Sequence, residues 1–284
     1  MTRPLRIEYS GALHHVMSRG DNKQVIFLND HDRERFFDIY SDIVKRLGWI
    51  TSAWCLMGNH FHLVVETPEP NLSEGMRLLN GIYTQYFNSN HGRVGHLFQG
   101  RFRSVLVEKN MYLLELARYV VLNPVRAGQV KTPADWRWSS YRATAGSGSS
   151  PEWFDPRWIL ELVSEGLGDR ERQQKNYMEF IAQGLGKEKD LMDEVQQQIY
   201  LGSETFIESV QIKCPFDRSN PDILREQRRR PLAFLEEYLS EYPDRKEAMA
   251  RAYLDGKFSQ AEIAGHFGVH YSTVSKAVRD HKGS

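Results

Sequence analysis

The chain has 284 residues, 40% of them apolar, and 37 Lys and Arg balance 37 Asp and Glu for a formal net charge of +0. That is enough chain for one or two domains with a real core, and the neutral total gives no global electrostatic reason for a polyanionic partner. Two distant cysteines, Cys55 and Cys214, without a Cys-x-x-Cys argue against a disulfide framework or a thiolate zinc site, while the lack of a leading apolar run or of any stretch near the ~20 apolar residues of a membrane span points to a soluble cytoplasmic protein with no membrane partner.

Ala12–Arg19 reads as a strand. Asp30–Leu47 places Phe36, Phe37, Ile39, Tyr40, Ile43, Val44 and Leu47 at helical spacing, with Asp30 as the expected cap. Ile50–Met57 and His60–Glu66 predict two strands joined across Gly58-Asn59, a hairpin signal. Asn71–Phe87 is helical, with Leu72, Met76, Leu79, Tyr83 and Phe87 on one stripe, and Phe102–Val107 is a short strand. Met111–Val121 predicts a helix that stops before Asn123-Pro124, because proline disfavours a helical residue before it. The order β-α-β-β-α-β-α predicts an α+β domain, an antiparallel sheet with helices on one face, ferredoxin-like in plan.

Ala145-Gly-Ser-Gly-Ser-Ser-Pro151 reads as a linker, and Lys213–Asp222, with two prolines, as a second break. The expected pieces are residues 1–145, 151–212 and 223–284. Residues 1–150 carry 18 Lys and Arg against 13 Asp and Glu, and the remainder 19 against 24, so the first half is the basic one. The middle piece reads as helical over Trp158–Val163, Tyr177–Ile181 and Leu191–Ile199, without a functional signal. The last piece has the pattern of a helix-turn-helix. Ser259 and Glu262 form a capping box; Ile263, Ala264 and Phe267 supply an apolar side; Gly268 permits the turn; Val274 and Val278 pack the second helix back. Tyr271, Ser272, Thr273, Ser275, Lys276 and Arg279 would then face DNA. A small bundle used for protein contact has the same pattern. Arg225 and Arg228–Arg230 precede it as a basic arm or a solvated linker.

Gly58-Asn59-His60-Phe61-His62 carries the first chemical signal. Residues two apart on a strand share a face, about 7 Å apart, so His60 and His62 project together as two neutral imidazoles suited to a divalent metal. Two ordinary strand histidines give the same spacing. A zinc hydrolase would need a third strong ligand, and Glu66, on the same face, lies toward the strand end. Of His14 and His15 only one could approach that face, and ordinary packing accounts for both. On the following helix Tyr112 and Tyr119 share a face with Glu115 and Asn123. A phenol with an ordinary pKa of about 10 is a poor nucleophile unless the phosphate is polarised.

Taken together, Trp54-Cys-Leu-Met-Gly-Asn-His60-Phe-His62-Leu-Val-Val, Phe98-Gln-Gly-Arg-Phe-Arg103 and Tyr119-Val-Val-Leu-Asn-Pro-Val-Arg126-Ala-Gly128 resemble the single-tyrosine HUH transposases, most closely the REP-associated tyrosine branch. The resemblance covers roughly residues 5–145. It implies a catalytic domain acting on single-stranded or hairpin DNA, with Mg²⁺ or Mn²⁺ held by His60 and His62. It also implies Tyr119 as the nucleophile forming a 5′-phosphotyrosyl adduct, with Tyr112 as runner-up. The family often has glutamine one turn after the tyrosine as a further ligand; Asn123, a shorter amide, stands here. Arg19, Lys23, Arg77, Arg101, Arg103, Arg118 and Arg126 would line a phosphate groove, with Tyr83, Tyr86 and Phe98 available to stack on bases. The helix-turn-helix would add contact with flanking duplex. A DNA-binding regulator without catalysis and a metal-dependent hydrolase of another substrate are the competing readings.

Overall fold

Asn29 starts the first long helix by accepting from the Asp32 amide at 2.9 Å, while the Asp32 carboxylate accepts from the Asn29 amide. Asp30, the expected cap, instead accepts from the indole of Trp138 at 3.1 Å, so the capping oxygen comes from one residue earlier. The computed structural model describes residues 5–186, 190–216, 234–254 and 258–282; Arg225, Arg228–Arg230 and the start of the third expected piece lie outside them. The chain divides into two compact units, Ile7–Val195 with Tyr200–Val210, and Met1–Arg6 with Gln196–Ile199 and Gln211–Ser284.

The larger unit runs β1 (Ala12–Arg19), α1 (Asp30–Leu47), β2 (Ile50–Leu56), β3 (His60–Thr67), α2 (Leu72–Asn90), β4 (Arg103–Val107), α3 (Lys109–Arg126), α4 (Tyr141–Thr144), α5 (Arg157–Val163), α6 (Arg170–Ala182) and β5 (Tyr200–Leu201), with α7 (Glu204–Lys213) following. The sheet order is β2-β3-β1-β4-β5. The first four strands pair antiparallel, and β5 joins β4 in parallel. This is the expected α+β architecture, with the ferredoxin-like order in its first four strands.

Alternation along the strands makes two cores. Val16, Phe61, Leu63 and Val65 face α1 and α2, meeting Phe36, Ile39, Tyr40, Met76, Leu79 and Tyr83. Leu13, Val64, Val105 and Val107 face the other way, against Leu113, Leu116, Ala117, Val120 and Val121 of α3. Helices therefore cover both faces of the sheet, not one. Both faces of β3 are apolar, so its central residues are a continuous hydrophobic run, as a strand buried on both sides requires.

Two further local expectations are corrected. α3 does not stop before Asn123-Pro124 but continues to Arg126 with Pro124 inside it. Proline has no N–H for the Val120 carbonyl, and the Asn123 side-chain amide donates there at 3.4 Å and to the Tyr119 carbonyl at 3.0 Å. Leu191–Ile199 is not a helix: a short 3-10 turn spans Leu191–Glu194, and Gln197 and Gln198 take positive φ of 49° and 64°. That reversal leads the chain into β5, where Tyr200 and Leu201 are fully buried beside β4.

The described part of the smaller unit contains α8 (Leu235–Glu241), α9 (Arg245–Leu254), α10 (Gln260–Phe267) and α11 (Tyr271–Lys282). Leu235, Tyr238, Met249, Ile263, Phe267, Val274 and Val278 form its core. Ser259 accepts from the Glu262 amide at 3.2 Å, and Glu262 accepts from the Ser259 amide at 2.7 Å. Gly268 ends α10 at φ 61°, a left-handed position that glycine takes without strain. Among the described residues no helix is long and apolar enough to cross a membrane.

Candidate active site on the α3 face of the sheet

β3 turns His60 and His62 to the face that Val64 shares with α3. Register then adds residues from β1: Arg19 pairs with His60, Met17 with His62 and His15 with Val64. Residues paired across strands lie on the same face, so His15 joins the histidine pair while His14 turns to the opposite side. His15 Nε2 lies 2.9 Å from His62 Nδ1, and the His60 and His62 ring centroids are 4.9 Å apart. Sequence reasoning discounted His15. The signal was present in the His14-His15 doublet, but choosing between the two needs the register.

The hairpin fixes His60 from its own turn. Asn59 Nδ2 donates to the Lys23 carbonyl at 3.1 Å, which leaves Asn59 Oδ1 to accept from His60 Nδ1 at 2.7 Å. The His60 proton is thereby held on Nδ1 and its Nε2 keeps a lone pair. Burial, then the Arg103 charge, lowers the His15 pKa to about 4. Burial, then Arg19, lowers that of His60 to about 4. Burial, then His15 and His60, holds His62 well below the usual imidazole range. All three rings are neutral near pH 7, the state in which imidazole ligates metals.

α3 brings Tyr119 over these rings. Its side chain is edge-on to His15 and His62, with ring centroids 5.9 and 6.1 Å away, and the residue is 9% exposed. The Arg126 guanidinium sits 4.8 Å from the Tyr119 ring centroid. Burial raises the Tyr119 pKa to about 12, helped by Asp190 and, more weakly, Asp193, and opposed by Arg126 and Arg103. Asn123 lies one turn beyond Tyr119. Its amide nitrogen is bound to its own helix, so the oxygen is the end it can offer to a ligand.

The structure brings Arg19, Arg103 and Arg126 to this cluster, all exposed. Arg101 is exposed on the segment leading into β4. Lys23 is exposed in the loop that Asn59 clamps. Arg77 is exposed on α2, on the opposite side of the sheet. Arg118 does not belong to the groove: it is 6% exposed, paired with Glu115, and packed 4.4 Å from the Phe180 ring centroid. Glu66 is paired with Lys109 at 2.6 Å, and the Tyr112 hydroxyl donates to Glu194 at 3.2 Å. Tyr83 and Phe98 are buried in the α1/α2 core, and Tyr86 packs against it. Tyr83 and Phe98 are therefore not free to stack on a base, while Tyr86 is half-buried with its hydroxyl donating to Asp32 at 3.2 Å. Tyr271, Ser272, Thr273, Ser275, Lys276 and Arg279 are all exposed on α11, in the smaller unit.

Among the described residues no group of three or more His, Cys, Asp or Glu side chains is arranged to hold a metal ion. The candidate donors are instead the two neutral imidazoles of His60 and His62, with Asn123 one helical turn beyond Tyr119. His62 Nε2 is buried without a hydrogen-bond partner, an atom that a bound cation would satisfy. Such a set suits a divalent ion that completes its coordination with water and phosphate oxygens, and does not make a closed structural zinc centre.

Residues 8–123 match the family described as "Transposase IS200 like". A Haemophilus influenzae protein, described provisionally as a REP-associated tyrosine transposase, is 27% identical over 138 residues, 44% of this chain and 77% of that protein. A solved structure of a REP-associated tyrosine transposase bound to a REP hairpin is similar at a TM-score of 0.45 and 18% identity, over 53% of this chain and 89% of that one. The stretch that is similar to the IS200-like transposases, residues 8–123, includes His15, His60, His62 and Tyr119.

Proposed function

We propose that the chain cleaves and rejoins single-stranded DNA at hairpin or repeat sequences through a Tyr119 phosphotyrosyl intermediate, with Mg²⁺ or Mn²⁺ held by His60 and His62 and completed by Asn123. The observation that carries this reading is the placement of Tyr119 on α3, edge-on to His62 and beside Arg126. The similarity of residues 8–123 to a transposase family supports DNA as the partner. When bound, the cation would neutralise charge on the phosphoryl oxygens as it develops. Arg19, Arg103 and Arg126 hold the phosphate against the sheet face. The Tyr119 oxygen forms a bond to phosphorus as the bond to the 3′ oxygen breaks; the phenol gives up its proton and the leaving 3′ oxygen takes one. A 3′ hydroxyl then attacks the adduct, restores the phosphodiester and returns the proton to Tyr119. The number of phosphoesters is unchanged, so no nucleotide is consumed, and one hard displacement becomes two easier ones. The exposed row from Tyr271 to Arg279 supports a second contact, with duplex beside the cleaved strand.

The test is incubation with end-labelled single-stranded hairpin DNA and Mg²⁺ or Mn²⁺, followed by denaturing electrophoresis. A covalent adduct that Tyr119→Phe abolishes and Tyr112→Phe retains is the expected result. DNA binding with no adduct in either metal would assign a regulator without catalysis, and cleavage surviving Tyr119→Phe would assign a hydrolase.

A further inference from the structure

His15 contacts a histidine of the site and has no role in the chemistry above. Its Nε2 and His62 Nδ1 are 2.9 Å apart, and the two rings are within 11° of parallel with centroids 5.2 Å apart. Rings so spaced, with their nearest nitrogens in hydrogen-bond contact, meet edge to edge in nearly one plane. The bond therefore runs along the lone pair of whichever nitrogen accepts, the favourable direction.

The far side of His62 decides which one that is. His62 Nε2 is buried and unpartnered. A proton there would leave an N–H donor sealed from water and from any acceptor, which folded proteins seldom tolerate. A proton on Nδ1 instead goes to His15 Nε2, and His62 Nε2 keeps its lone pair. His60 is held in the same tautomer by Asn59, so the two imidazoles present matching nitrogens. An acceptor behind the outer nitrogen of a ligating histidine fixes the ring and raises its basicity.

We propose that His15 is a positioning residue that accepts the His62 Nδ1 proton and so holds His62 in the tautomer whose Nε2 ligates the divalent cation. This rests on the metal-dependent reading above. His14 cannot take the part, since strand alternation turns it to the other face.

The experiment uses the full chain. Long-range ¹H–¹⁵N correlation spectra of the metal-free protein report the His62 tautomer, and Mn²⁺ titration by calorimetry reports affinity. The wild type should show His62 protonated at Nδ1. His15→Phe, which keeps a ring and removes the acceptor, should lower Mn²⁺ affinity by roughly 10–100-fold. His15→Gln, whose amide oxygen reaches the Nε2 position, should restore affinity to within about threefold and keep the Nδ1 tautomer, an outcome that simple packing loss would not produce. A wild-type His62 protonated at Nε2, or His15→Phe with unchanged Mn²⁺ affinity, overturns the proposal while leaving the metal site standing. Absence of Mn²⁺ binding by the wild type overturns the metal reading and this proposal with it, whereas the spectra read the His15–His62 bond without metal. If His15→Phe does not fold, the wild-type tautomer and the His15→Gln titration decide.

Discussion

The Arg126 guanidinium lies 4.8 Å from the centroid of the Tyr119 ring, two turns further along the same helix. It opposes the burial that raises the phenol pKa to about 12, while Asp190 acts with that burial. Arg126→Ala should therefore slow formation of the DNA adduct, and Asp190→Asn should speed it. Asparagine keeps the oxygen that accepts from the Met192 amide, so the turn is preserved. For the wild type the rate should climb as pH rises from 7 to 9, approaching tenfold per unit where phenolate is the attacking species. Single-turnover gel assays across that range check the pair; a shift of both variants in the same direction would refute the electrostatic account.

Buried neutral histidines tie stability to pH. Burial lowers His14 to about 3, and His15 and His60 to about 4. In the unfolded chain these rings take up protons near pH 6.5, so stability is intact above that value and falls as pH drops toward the folded-state values. His14 and His15 together should cost on the order of 1 kcal/mol each per pH unit below 6.5. All six tryptophans lie between residues 49 and 158, within the larger unit. Tryptophan fluorescence in urea at pH 7 and pH 5 therefore isolates that unit, and equal midpoints would contradict the burial of these rings.

Asn123 and Pro124 form a compensating pair. Asn123→Ala leaves the Val120 carbonyl without its side-chain donor and should destabilise the larger unit by about 1–2 kcal/mol. Pro124→Ala returns a backbone N–H to that carbonyl. In the Pro124→Ala background, Asn123→Ala should cost much less, and a double-mutant cycle by urea unfolding measures the difference. Strictly additive effects would mean the side chain does not replace the missing donor.

Arginines at the site and away from it should separate by salt dependence. Arg19→Ala and Arg103→Ala should each weaken single-stranded DNA binding and reduce the slope of log affinity against log salt by about 0.7. Arg118→Ala should leave the slope unchanged, because its guanidinium is spent on Glu115 and Phe180. Fluorescence anisotropy between 50 and 300 mM salt (over which the Debye length shrinks roughly 2.5-fold) reads all three, and a fall in slope for Arg118→Ala would return it to the groove.

Much of this was legible locally. Strand alternation alone puts His60 and His62 on one face, and helical spacing alone places Asn123 one turn from Tyr119. The turn residues Gly58-Asn59 and the Ser259–Glu262 capping box act over a few residues, so their effect can be read from a few residues. Selection of Tyr119 among 13 tyrosines came from the combined motifs and not from spacing.

Other decisions belonged to the tertiary structure. Whether His14 or His15 meets His62 depends on the pairing of β1 with β3, and a shift of one residue would exchange them. Whether Arg118 or Arg126 stands by Tyr119 depends on which side of α3 is covered by α6. The passage of α3 through Pro124 needs an Asn123 side chain placed to replace a missing donor, and the fate of Leu191–Ile199 depends on an open edge beside β4. The sequence by itself determined which residues share a face, because backbone periodicity is a property of neighbours along the chain. Only the tertiary structure decided which faces meet, because strand register and helix packing are settled between segments far apart in it.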